Sequence, residues 1–297
     1  MAGFGDPGLL TPPREEEEIF PYRPVWRSVA IVSGLLLVMT VSIYVLVNVI
    51  GLSAPDSLRL YLGIPVALAP AGLYLVFSWF REQLVPAPRQ RLIAVLVISG
   101  LVASAIGIPL INDFFQVSRW LPLSSAINRI VGYTFIVGIV QETLKYGVVR
   151  FTVWPQQYRI RLDAMAYGVA AAIGYATAVN IHFVGTYHAS LDVVALRVFT
   201  TFAVHLSATA CVSYGLAEVR FSDPLPFFLP MSLFVAALVT GVAIPIRAGL
   251  VNAAFALGVS ATRPLFGLGF SVALLLGSLL VIAFLFNTAE QFDQGFQ

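Results

Sequence analysis

The chain has 297 residues; 59% are hydrophobic, only 11% are charged, and the mean hydropathy is +0.88. A soluble domain carries roughly 25% charged residues, so this deficit excludes an ordinary water-soluble globule. The formal charge of +2 is too small to argue for nucleic acid. The single cysteine, Cys211, excludes an intramolecular disulfide and a thiolate metal cluster, and reads as a small packing residue.

Residues 1–26 form a polar tail rich in Pro, Gly and Glu, expected to be loosely ordered, in which Glu15–Glu18 read as a solvated run. The tail does not have the pattern of a signal peptide, so the first apolar stretch reads as an uncleaved anchor. Crossing a bilayer core takes roughly 20 apolar residues. Such stretches fall near Val29–Leu52, Leu58–Phe80, Leu92–Ile111, Ala126–Val149, Ala164–Val184, Val193–Leu216, Phe227–Ile246 and Phe266–Phe286. The fold expected is therefore all-α, a polytopic membrane bundle of about eight transmembrane helices over residues 27–290, with a short tail at 291–297. The apolar piece Ala248–Ala261 is too short to span and reads as a re-entrant loop or an extension of a neighbour. Pro65, Pro70 and Pro109 predict kinks, and no internal repeat of the transporter kind is evident.

Orientation follows the positive residues. Arg14, Arg23 and Arg27 precede the first stretch; Arg81, Arg89 and Arg91 lie between the second and third; Arg150, Arg159 and Arg161 lie between the fourth and fifth. The intervening loops are poorer, with Arg59, Arg119 and Arg197. This predicts a multi-pass protein of the bacterial inner membrane with a cytoplasmic N-terminus. Eight spans return the C-terminus, with Glu290 and Asp293, to the same side.

Ionisable groups at membrane depth are costly and are functional suspects by default. Glu142 is the one acidic residue deep within a predicted span, Glu218 being near an end. Lys145, the only lysine in the chain, follows it by three residues on the same helix face. His205 lies near the middle of the sixth span, His182 near the end of the fifth, and His188 in the following loop. Glu142 and Lys145 suit an intrahelical ion pair as well as a catalytic site; His205 alone suits a hydrogen-bonded core histidine, and His182 and His188 suit a membrane interface.

Several segments resemble one family when taken in order. Val140-Gln141-Glu142-Thr143-Leu144-Lys145 resembles the EExxK signature of the PrsW-type intramembrane proteases, relatives of the CAAX-processing and bacteriocin-processing membrane proteases. Pro70, then Phe80-Arg81-Glu82 and Pro86, resembles the family's helix, basic loop and proline-rich turn. Asp163 and Gly168, then Gly174-Tyr175 and Asn180-Ile181, resemble the motif written Gly-Phe, three residues, Glu-Asn. Arg197, His205 and Gly215 resemble the histidine-bearing third motif. The resemblance covers roughly residues 60–250. It implies peptide-bond hydrolysis within the membrane. A carboxylate, with or without a metal, would activate water, and histidine and asparagine groups would position it or support the oxyanion.

The chain departs from that pattern at several implied catalytic positions. Gln141 replaces the first glutamate, and a neutral amide is no general base. Val179 replaces the glutamate of the second motif. No histidine follows His205, so the fourth motif's histidine is missing; Thr240-Gly241, or Ala248 with Asn252, marks where it would fall. Glu142 and His205 remain as catalytic candidates, with Gln141, Lys145, Asn180 and His182 in support. A metal site usually takes three protein ligands plus water, so no cofactor is expected. Zinc or another divalent ion enters only if the chain is an active protease using Glu142, His205 and, as a possible replacement imidazole, His182. The most economical expectation is a family member with a decayed site that binds lipid or a single-span membrane protein. An active protease, a transporter and a structural subunit of a membrane complex are the alternatives.

Overall fold

The computed structural model describes residues 25–85, 88–222, 224–252 and 263–295, with side chains as far as Ala289. The tail with Glu15–Glu18, Pro86, most of the Ala248–Ala261 piece, and the side chains of Glu290 and Asp293 lie outside the described residues. What is described is helical and without strands. Helix α1 is Val25–Asn48 and α2 is Asp56–Glu82. Helix α3 starts as Leu92–Val102 and continues through π turns at Ala103–Gly107 and Leu110–Phe114. Helix α4 runs Ala126–Gly132, a π segment Tyr133–Gly138, then Ile139–Thr152. Helices α5 to α8 are Arg161–Tyr187, Leu191–Phe221, Phe228–Asn252 and Pro264–Gly295. Residues 248–252 thus extend α7, and α8 continues beyond position 290.

Seven of these helices are long and apolar enough to cross a membrane. The eighth, α4, is less apolar because it carries Gln141, Glu142, Lys145 and Arg150. Arg91, at the start of α3, donates to the Thr152 carbonyl at the end of α4 (2.9 Å), so these two helices run antiparallel. Trp26 at the start of α1 meets Phe286 near the end of α8, their rings 6.1 Å apart. The start of α1 and the later part of α8 therefore share one end of the bundle.

Helices α5 and α6 form the centre. In each, 83% of the most apolar stretch is buried, against 22–33% in the other five candidate spans, whose outer faces are left for lipid. The cause is legible in the residues. Helix α5 is rich in Ala and Gly from Ala164 to Ala178, and small residues let helix backbones approach closely in a membrane. At the α3–α5 crossing, a Cβ on Gly174 would collide with the Leu96 carbonyl oxygen. Helix α4 is drawn against α7 in the same way: a Cβ on Gly138 would lie 2.5 Å from the Ala237 carbonyl oxygen. The predicted prolines Pro65 and Pro70 lie inside α2, which passes into a π segment at Leu75–Trp79.

Candidate functional site

The π segment Tyr133–Gly138 ends immediately before the turn that carries Glu142. Such bulges re-aim the residues that follow and are common at functional sites. Here Glu142 and Lys145 point inward against α6. Glu142 is fully buried, Lys145 is 1% exposed and His205 4% exposed. The Lys145 Nζ donates to Glu142 Oε1 at 2.6 Å and to Thr209 Oγ1 at 2.6 Å, and faces His205 Nδ1 at 3.3 Å. Thr209 in turn donates to Glu142 Oε2 at 3.2 Å. An ammonium has three protons and no acceptor capacity. With Lys145 as an ammonium, these three contacts take up all of its donors, and His205 then meets it with an unprotonated Nδ1. The Tyr175 ring lies 5.2 Å from the His205 ring and 5.7 Å from Lys145 Nζ, closing the cluster from α5.

The structure thus brings together Glu142, Lys145 and His205 from α4 and α6. Gln141 is buried but lies about 100° around the helix from Glu142, and no hydrogen bond joins it to this cluster. Asn180 is 1% exposed, and neither end of its amide has a hydrogen-bond partner among the described residues. His182 does not reach the site. It is exposed near the end of α5, as is His188, which closes that helix with a left-handed backbone, φ 46°. The replacement imidazole considered for the missing histidine is therefore not supplied by His182: it sits in the last turns of α5, where that helix emerges from the packed centre. Thr240 is buried, with no hydrogen-bond partner for its hydroxyl among the described residues, and Gly241 packs against Thr134. Sequence reasoning missed Thr209, although it lies one helical turn after His205 and so on the same face.

A small void of about 10 Å³ lies beside the cluster, lined by Glu142, Lys145, Gly168, Thr209 and Ser213 among others. That is about the room one water needs. A Cβ on Gly168 would collide with the Ser213 hydroxyl, so even this space depends on a glycine.

The family model of the PrsW family intramembrane metalloproteases matches residues 87–284, from the loop before α3 into α8. The match spans well over half of the chain, and the chain belongs to that family. No curated protein and no solved structure matches it. The family's description implies a metal, and the residues at the cluster do not fit one. Glu142 and His205 are two candidate ligands where a zinc site takes three. The Lys145 ammonium already lies between them as their shared cation. Among the described residues no three His, Cys, Asp or Glu side chains gather as a metal site.

Proposed function

We propose that this chain is a non-cleaving member of its family, a pseudoprotease of the inner membrane with its N-terminus in the cytoplasm, that binds lipid or a single-span membrane protein without cutting it. The observation that carries this reading is the saturated Lys145. A general base must be free to aim at water, whereas the Glu142 carboxylate is held by Lys145 on one oxygen and Thr209 on the other. His205 spends Nδ1 on the same ammonium. Gln141 and Val179 stand where the family motif has glutamates, which removes the other bases. Catalytic groups that act as a unit lose nearly all turnover when some are removed.

One observation favours a second reading, an active protease. The void beside Glu142 is large enough for one water, so a carboxylate released from Lys145 would have a nucleophile at hand. One assay separates the two. The protein is reconstituted in liposomes with a library of single-span substrates, and the expected result is no cleavage, with or without Gln141→Glu. Specific cleavage that disappears in Glu142→Gln would overturn the pseudoprotease reading.

A further inference from the structure

A second cavity, of about 250 Å³, lies at the arginine-rich end of the bundle and shares no residue with the Glu142 cluster. Residues at the start of α1, the end of α2, positions 85, 89 and 92, and the first turns of α5 line it. Its walls combine Val25, Val29, Val85, Leu92, Ala166 and Val169 with three guanidinium groups, Arg27, Arg81 and Arg89. Arg27 and Arg81 are exposed at its mouth, while Arg89 is 4% exposed.

Arg89 is held rigidly. Its Nη1 donates to Glu82 Oε2 at 2.9 Å and its Nε to Asp163 Oδ1 at 2.7 Å. The other Glu82 oxygen accepts the backbone N–H of Arg89 at 2.9 Å. Yet Nη2 of this buried guanidinium has no acceptor among the described residues. An unmade bond from a buried charged donor is expensive, and an acceptor brought in from outside would complete it. The charge balance asks for an anion. The lining carries three positive groups against Glu82, and remains net positive when Asp163 behind Arg89 is counted.

The depth of the cavity selects the kind of anion. Trp26 and Trp79, of the residue type enriched at headgroup level, are chain neighbours of Arg27 and close to Arg81. The lining combines these guanidinium groups with apolar side chains from α1, α3 and α5. Arginine forks match phosphate oxygens, and basic pockets between membrane helices recognise anionic headgroups. The volume is below that of a pocket for a whole drug-sized ligand and suits a headgroup.

We propose that this cavity is a binding site for the phosphate group of an anionic phospholipid. Arg89 Nη2 contacts a phosphate oxygen, Arg27 and Arg81 close over it from the mouth, and the first acyl segment lies along Val25, Val29 and Val169. The site stands independently of whether the family's proteolytic chemistry survives in this chain.

The test uses the full chain in neutral detergent with phosphatidylglycerol, phosphatidylcholine and inorganic phosphate as probes. Retained lipid is read by native mass spectrometry, and folding by the thermal unfolding midpoint. Phosphatidylglycerol is expected to be retained at least about tenfold more strongly than phosphatidylcholine, a difference of roughly 1.4 kcal/mol. Millimolar inorganic phosphate should not displace it. Arg27→Gln with Arg81→Gln should abolish the preference while leaving the lipid-free midpoint unchanged, since both side chains are exposed. Arg89→Gln should abolish it too, though that change also cuts the ties to Glu82 and Asp163. Equal retention of the two lipids, or an unchanged preference in the double variant, would overturn the site. Displacement by inorganic phosphate would assign it to a soluble anion instead. Retention that appears only after Glu15–Glu18 are changed to Gln would assign the cavity to the chain's own acidic tail. Either result would overturn the lipid assignment.

Discussion

Lys145 holds three acceptors, and its removal exposes the cost of the arrangement. With Lys145→Met, the Glu142 carboxylate is left buried beside a single hydroxyl. Breaking a buried ion pair from one side costs about 3–5 kcal/mol, because the remaining charge is uncompensated. Lys145→Met is therefore expected to lose most of its stability to denaturant in detergent, whereas Glu142→Gln with Lys145→Met should recover a large part of the loss. A double variant no more stable than Lys145→Met would show that the ion pair does not hold α4 in place. Glu142, Lys145 and His205 could be singled out in the sequence because ionisable residues are so scarce in its apolar stretches. Thr209 could not, since a threonine in a membrane helix is commonplace until its hydroxyl is found between Lys145 and Glu142.

At the scale of elements, α4 is positioned by close backbone approach more than by large side chains. Its Gly138 faces the Ala237 backbone of α7. Overpacking of such a contact costs typically about 1–3 kcal/mol, and more when the obstruction is backbone. Gly138→Val should therefore lower the thermal midpoint sharply and reduce the yield of folded protein. Gly147→Ala is the matched comparison on the same helix: nothing lies within 4 Å of a Cβ there. That change should be neutral or slightly stabilising, since alanine is the better helix former. Equal effects of the two changes would mean that the α4–α7 crossing does not depend on close approach.

For the whole molecule, two outcomes are expected. The first concerns topology. In a Cys211→Ala background, Ser53→Cys lies between α1 and α2, and Gln156→Cys lies between α4 and α5. With the N-terminus inside, an impermeant thiol reagent added to intact cells should label Ser53→Cys and spare Gln156→Cys until the membrane is opened. The reverse pattern would invert the orientation drawn from the arginines. The second concerns metal. The purified protein should contain well under one zinc per chain by elemental analysis, because Glu142 and His205 fall one ligand short and share an ammonium. About one zinc per chain, lost in His205→Ala, would overturn that expectation and favour the active-protease reading.

The sequence by itself determined the class, seven of the eight expected spans and the rare polar residues. These follow from local quantities: apolar length, charge per segment and helical spacing. It also carried the resemblance to the family to which residues 87–284 match. The tertiary structure alone decided which helices meet. It made α5 and α6 the centre, because Ala and Gly permit close approach there and only the packed bundle reveals the partner of each. It left His182 exposed, a matter of how far α5 projects beyond its neighbours. It joined Arg89 and nearby Glu82 to distant Asp163, since ion pairing between distant residues depends on how the helix ends are brought together.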